Sequence, residues 1–250
     1  MATGAEEARR GLRERVRRSS LAERVEALID AVEYRVAEGE DDLARVQRHR
    51  HDRYLRAEHI EPMPTGVLDD EMDRAPATRC YMVLLAGRLA ATIRLSLVTA
   101  ATPEGLSLAC FPETVGSMLA SGLTVLDPNR LTTDEEIAAE YPELHFCVLR
   151  LAALASVHYG ADYCLASVQP RHGAFYRRYL KATSLSEPRL FPGVTREVAL
   201  FASHVPTALA HARRNVTFNL ARPGEAERVF VPRSALLPDL DAGSVRATAT

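Results

Sequence analysis

The stretch Leu123-Thr124-Val125-Leu126-Asp127-Pro128-Asn129-Arg130-Leu131 constrains this chain most. It opens as a β-branched apolar strand and then sets an acid, a proline and an arginine side by side. Pro128 has no N–H to give to a ladder, so the backbone should bulge or peel away there. A carboxylate beside an opening strand is placed to act as a general base next to free backbone N–H groups. An Asp-Pro-Asn turn that merely closes the strand is the plainer alternative.

The flanking segments read as strands and helices in turn. Val32-Glu33-Tyr34-Arg35-Val36-Ala37 alternates like a strand, and Gly39-Glu40-Asp41-Asp42 caps a helix to about Leu55, with Leu43, Val46 and Tyr54 facing inward. Arg79–Leu85, a tight Ala86-Gly87-Arg88 turn and Leu89–Leu97 form a hairpin. Residues 99–122, which include Phe111 and Met118, carry little signal, and Thr132–Pro142 reads as a loop. An apolar helix from His145 to about Tyr159 is ended by Gly160. There follow a short buried strand at Asp162–Val168, a helix bearing Phe175-Tyr176, a strand at Glu197–Ser203, a helix through Leu209–Arg213 and a strand at Val216–Leu220. Strands alternate with helices, but the early hairpins imply a mixed sheet rather than a doubly wound one. The expected class is therefore α/β of the α+β kind, a mixed, mostly antiparallel twisted sheet flanked by helices. Its expected division is a basic helical extension at 1–31, one domain at 32–203, a packed extension at 204–237 and a disordered tail at 238–250.

Composition removes several function classes. The formal net charge is −2, so no global field points to nucleic acid. Cys80, Cys110, Cys147 and Cys164 stand apart, without the close pairs of zinc or redox motifs, which suits a reducing compartment and core positions. No apolar run reaches the length of about 18 residues that a membrane helix needs, and a cytoplasmic location is expected. Residues 5–31 read as one helix whose first half is rich in arginine. That half is either a solvated arm or a basic surface for peripheral contact with an anionic membrane or an acidic partner. The histidines of Arg48-His49-Arg50-His51 point to different helix faces, so no shared metal is expected. The acids of Asp69-Asp70-Glu71-Met72-Asp73 lack the pattern of a calcium loop, and pairing with arginines is expected instead. Arg94, inside an apolar strand, needs such a partner if buried.

Four blocks then fall in order: Arg50-x-x-x-Tyr54, Asp70-x-x-Asp73, Ile93-Arg94-Leu95 and Asp127-x-Asn129-Arg130-Leu131. The series resembles the acyl-homoserine-lactone synthase pattern of Arg-x-x-x-Phe, Asp-x-x-Asp, an Arg-Leu strand and Glu-x-Ser-Arg-Phe. It resembles more closely the bacterial N-acyl amino acid synthases, and both belong to the GNAT acyltransferase superfamily. Asp162–Val168, Gln169-Pro170 and the Phe175-Tyr176 helix are similar to the superfamily's fifth strand and the helix after it. The likeness covers about residues 33–202. Asp127 and Asn129 replace the lactone synthases' Glu and Ser, and Ile60 stands where they usually carry tryptophan. Thr132-Thr133-Asp134-Glu135-Glu136 is acidic and glycine-free where a coenzyme A pyrophosphate loop would lie.

The resemblance implies a GNAT-like fold and direct aminolysis of an acyl thioester, without a covalent enzyme intermediate. No permanently bound cofactor is expected; the co-substrate is acyl-ACP, through its phosphopantetheine, or acyl-CoA, and the acidic loop favours the acyl carrier protein. The acceptor is the α-amine of an amino acid. Asp127 is the candidate base, backbone N–H groups near Leu126 the candidate oxyanion donors, and Tyr176 the candidate proton donor to the thiolate. Arg50, Tyr54, Asp70, Asp73, Arg94, Asn129, Arg130 and Val168 are expected to shape the acceptor pocket, with Arg50 a candidate to grip the substrate carboxylate. The acyl chain should run between helices and sheet past residues such as Leu126, Leu149 and Ala152. Arg171, Arg177, Arg178 and Lys181 form a basic cluster suited to an acidic carrier protein. The alternatives are a lactone synthase, an acyl-CoA-dependent N-acetyltransferase and a non-catalytic acyl-thioester binder. The sequence leaves the oligomeric state open.

Overall fold

The computed structural model describes residues 20–237. The arginine-rich segment before Ser20 and the tail expected after Pro238 lie outside the described residues. Ser20 starts a helix by itself: its hydroxyl accepts the Glu23 N–H and its own N–H donates to the Glu23 carboxylate. Helix α1 spans Leu21–Ala31 and runs directly into strand β1, Val32–Val36. Helix α2, Gly39–Arg56, begins at the glycine expected to cap it, with Glu40, Asp41 and Asp42 in its first turn opposing the helix dipole.

Strands β2 (Thr78–Leu85) and β3 (Arg88–Val98) form the expected hairpin, with Ala86 and Gly87 both at positive φ in the turn. The poorly patterned segment after them holds two short helices, α3 (Leu106–Cys110) and α4 (Pro112–Ala120). Strand β4, Val125–Thr133, is the focal stretch, and helix α5, Glu135–Glu140, replaces the loop expected there. Helix α6, Leu144–His158, is apolar on all sides and accordingly buried. Strand β5 (Tyr163–Val168), helix α7 (Gly173–Leu180), short strands β6 (Thr183–Ser184) and β7 (Arg189–Leu190), strand β8 (Glu197–His204) and helix α8 (Val205–Asn215) follow. Residues Thr217–Asn219, expected as part of a strand, form a single 3₁₀ turn, and helix α9 spans Glu225–Val229.

The eight described strands pair in the order β1-β2-β3-β4-β5-β8-β6, with β7 also on β8. All pairs are antiparallel except β4–β5, which the crossover through α6 makes parallel. The pleat sends Tyr81, Val83 and Leu85 toward α1 and α6, and Cys80, Met82 and Leu84 toward Leu43 and Val46 of α2. Beside the α2 layer, Phe111 and Val115 pack on Val98, Val125 and Leu200.

The segment after β8 is pinned to α6 by a buried charge. Arg150 donates to both Glu225 oxygens, at 2.5 and 2.7 Å, and to the carbonyls of Phe218 and Leu220, at 2.6 and 2.8 Å. Phe146, Phe175, Tyr179 and Phe218 stack around the same contact, and the Tyr179 hydroxyl donates to Asn219. Removing one partner of a buried pair leaves the other charge uncompensated. Glu225→Ala should therefore lower the unfolding free energy by about 3–5 kcal/mol, read from urea melts, and should free residues 216–230 for limited proteolysis before global unfolding.

Candidate functional site

Strand β4 stays in its ladder with β3 through Pro128, which sits opposite Leu95. The ladder with β5 ends at Leu126, opposite Cys164. A residue without an N–H is tolerated where a strand flank has no partner, and from Asp127 onward β5 has left β4. The strands thus part beside Asp127, but the expected bulge lies two residues beyond Pro128. It falls at Arg130, whose φ is +54°, opposite the register shift between Thr92 and Arg94.

The left-handed backbone at Arg130 lets neighbouring side chains reach the same acidic segment. Asn129 accepts from Arg94 Nε at 2.7 Å, and Arg130 donates through Nε and Nη2 to Asp70, at 3.2 and 2.9 Å. Arg94 Nη1 meets Asp70 at 3.0 Å and Asp73 at 2.9 Å. Arg50 grips Asp73 bidentately at 2.9 and 3.1 Å, and Gln47 adds a bond to the same carboxylate. Three arginines and two aspartates so form one network, with Arg50, Arg94 and Asp73 side chains fully buried. Burial pushes the Asp70 and Asp73 carboxyls up, but the arginines around them outweigh it and hold both below the usual carboxylate range. Arg50, expected to grip a substrate carboxylate, is enclosed and already committed to Asp73. The polar atoms left without a partner in this network are Arg50 Nε, Arg94 Nη2 and Arg130 Nη1. Arg130 lies against the Phe191–Gly193 segment, donating weakly to the Pro192 carbonyl at 3.4 Å. A Cβ on Gly193 would come within 2.9 Å of its guanidinium.

Asp127 is fully buried and faces α3 rather than solvent. One of its oxygens accepts the Ser107 N–H at 2.9 Å and the other the Ser107 hydroxyl at 2.5 Å. Gly105 permits this approach, because a Cβ there would lie 2.9 Å from Val98 and 3.0 Å from the Asp127 carboxylate. Ser107 in turn meets the Ser167 hydroxyl on β5 at 2.8 Å. Burial raises the Asp127 carboxyl above its usual range, opposed by the two Ser107 bonds and by Arg94. The sequence reading missed both serines, since neither carries a motif and Ser107 lies in the segment without periodicity.

Two openings border β5. A cleft of about 450 Å³ is lined by Tyr54, His59, Thr132, Ser167, Val168 and Gln169, where β4 and β5 diverge. His49, outside that lining, meets Thr132 at 3.1 Å, and burial together with nearby Arg53 lowers its pKa to about 4, so it is neutral. A narrow apolar cavity lies between α6, α7 and α8, lined by Leu149, Ala152, Cys164, Tyr179, Ala208 and Ala212. Leu126, expected along the acyl path, is instead sealed in the core. Tyr176 packs on the cluster of Ala182, Ala199 and Phe201, and burial raises its hydroxyl pKa to about 12, so it remains a proton donor. Arg171, Arg177, Arg178 and Lys181 are all exposed, and Arg177 covers the Phe201 ring at 5.4 Å. Lys181 caps α7 in a left-handed conformation and lies near His211 of α8. None of the described helices is long and apolar enough to cross a membrane, and no cluster of potential metal ligands occurs among the described residues.

The family profile of the N-acyl amino acid synthase FeeM matches residues 45–204, which contain all four sequence blocks. The chain belongs to this family. It is an acyltransferase. Its structure is similar to that of FeeM, an N-acyl amino acid synthase from uncultured soil microbes, with a TM-score of 0.61 at 13% identity over 76% of this chain and 98% of the other. The coenzyme A-dependent acyl-homoserine lactone synthase MesI gives 0.52 at 19% identity over 73% and 90%. A second such enzyme, BjaI, solved with MTA, gives 0.51 at 18% identity over 70% and 82%. No curated protein matches the sequence. The shared fold accounts for the mostly antiparallel sheet and for the single parallel step at which the acyltransferase opens.

Proposed function

We propose that this acyltransferase moves a long fatty acyl group from an acyl carrier protein thioester to the α-amine of an amino acid by direct aminolysis. The observation that carries the donor choice is the start of α5. Asp134 accepts the Ile137 N–H at 3.0 Å, and Glu135 and Glu136 follow it. Those carboxylates, paired with Arg53, Arg56 and Arg88, occupy the helix start against which a coenzyme A pyrophosphate would otherwise lie, and Asp134 already takes one of its N–H groups. A carrier protein presents one phosphodiester and an acidic surface, which the arginines of α7 complement. The apolar cavity beside α6 suits an alkyl chain. For the acceptor, Arg130 replaces Arg50 as the candidate for the α-carboxylate, because it alone of the three network arginines is not fully enclosed and its Nη1 has no partner. Asp127 is assigned as the proton acceptor, the unpaired β4 edge beyond Leu126 as the oxyanion donor and Tyr176 as the proton donor to the thiolate.

The test is to incubate the purified protein with dodecanoyl-loaded acyl carrier protein or dodecanoyl-coenzyme A and the twenty amino acids, and to identify products by mass spectrometry. An N-dodecanoyl amino acid formed faster from the carrier protein supports the reading. Faster turnover of the coenzyme A donor overturns the donor assignment. Production of a lactone from S-adenosylmethionine instead would make the chain a lactone synthase. Arg178→Glu with Lys181→Glu should raise the KM for the carrier-borne donor roughly tenfold, the low end of electrostatic steering effects. The same pair should leave turnover of a dodecanoyl-pantetheine thioester unchanged.

A further inference from the structure

We propose that Ser167 takes the proton from the incoming ammonium and passes it through Ser107 to Asp127, so that a two-hydroxyl relay is the base of this enzyme. The proposal rests on the aminolysis reading above. Asp127 itself cannot touch a substrate, because it is fully buried behind α3. Ser167 lines the cleft between β4 and β5. Ser107, fully buried, stands between them, 2.5 Å from the Asp127 carboxylate and 2.8 Å from Ser167.

The polarity of the chain follows from hydrogen counting. A serine hydroxyl carries one hydrogen. When Asp127 is ionised it only accepts, so the Ser107 hydrogen points to Asp127. The Ser167 hydrogen must then point to Ser107 Oγ. That leaves Ser167 Oγ as an acceptor on the cleft wall, the role a base must fill. An anchor for α3 would need only the Ser107 N–H and hydroxyl; the step across to β5 serves no anchoring purpose.

The transfer balances. The ammonium N–H bond breaks as Ser167 Oγ gains a hydrogen, the original Ser167 hydrogen moves to Ser107 Oγ, and the Ser107 hydrogen moves to Asp127. The neutral amine attacks the thioester carbonyl carbon, and the C–S bond breaks. The second nitrogen proton, released as the amide forms, balances the departing thiolate as a thiol. Asp127 then returns its proton through Ser107 and Ser167 to water in the cleft, which restores the starting polarity of both hydroxyls. Burial places the carboxyl nearer to working pH than an exposed one. The titratable or charged groups facing Asp127 are Arg94 of β3, Cys110 of α3 and Cys164 of β5. Those around the cleft are Arg53, Tyr54, His59, Glu135, His172 and Arg196.

The experiment is the pH profile of kcat and KM for Ser167→Ala and Ser167→Thr, using dodecanoyl-loaded carrier protein and the amino acid that gives the main product among the twenty. Ser167→Ala should lower kcat by about 10²-fold near neutral pH, with KM little changed. Its loss should shrink as pH rises toward the pKa of the free amine, where solvent supplies the neutral nucleophile. Ser167→Thr, which keeps the hydroxyl, should recover most of the rate. Hydroxylamine, which arrives neutral, should be acylated by Ser167→Ala nearly as fast as by the wild type. Parallel pH profiles for wild type and Ser167→Ala, or equal losses with hydroxylamine, overturn the relay while leaving aminolysis standing. A wild type that forms no N-acyl product with any amino acid overturns the functional reading itself.

Discussion

Asp73→Asn should lower the unfolding free energy by about 3–5 kcal/mol, the cost of leaving buried charges without their partner. Asp73 is the centre of the ion network: both oxygens serve Arg50, one also serves Arg94, and Gln47 and the Cys80 thiol donate to it as well. An asparagine keeps one acceptor oxygen but neutralises the site, stranding the fully buried Arg50 guanidinium and leaving Arg94 with Asp70 as its one carboxylate. The measurement is the urea midpoint at pH 7, with an unchanged m-value showing that the denatured state is the same. The acid limb gives a second readout. Because Asp70 and Asp73 are held below the usual carboxylate range, their contribution is complete above the unfolded value of about 4 and is lost as pH falls through the lowered folded values. Asp73→Asn should therefore lose stability less steeply on acidification than the wild type. A penalty below about 1 kcal/mol, the range of exposed pairs, would show the network to be structurally dispensable.

Asp127→Asn should reduce kcat by about 10²–10⁴-fold, the usual worth of a positioned base, with much less effect on folding. The isosteric amide can still accept the Ser107 N–H through its oxygen. Its NH₂ group, however, donates where the carboxylate accepted. Ser107 must then turn its hydrogen to Ser167, and Ser167 presents a hydrogen to the cleft instead of a lone pair. One atom exchange in the core thus inverts the polarity of a wall two hydrogen bonds away, without altering its shape. Near-normal turnover in a folded Asp127→Asn protein would remove the carboxylate from the chemistry. The contrast between the two asparagine variants is itself informative, since one is expected to fail mainly in stability and the other mainly in rate.

Much of this could be read from residue order. The hairpin, the apolar helix ended by Gly160 and the strand after it were legible because each carries its own periodicity and punctuation, though that strand, expected to be buried, is half-buried with only Leu165 enclosed. The acid–arginine network was legible because Arg94 in an apolar strand demands a partner. What escaped was set by tertiary contact. Helix α3 has five residues, too few to show a stripe, and Ser107 gains its meaning only once Gly105 lets that helix settle on Asp127. Pro128 misled because its missing N–H was charged against the β4 ladder, whereas β5 had already diverged. Arg50 misled in another way: a conspicuous arginine is as easily consumed by a buried carboxylate as offered to a substrate.

The left-handed cap of α7 has a practical consequence. Lys181 is the only lysine in the chain and is exposed, in the arginine-rich surface of α7. Amine-directed reagents therefore have one side-chain target, held at a helix end rather than on a wandering loop. A fluorophore coupled there reports the approach of any acidic protein without mutagenesis. A carbodiimide would join that single amine to a partner's carboxylate, so the isopeptide bond recovered by peptide mapping would give the docking register directly.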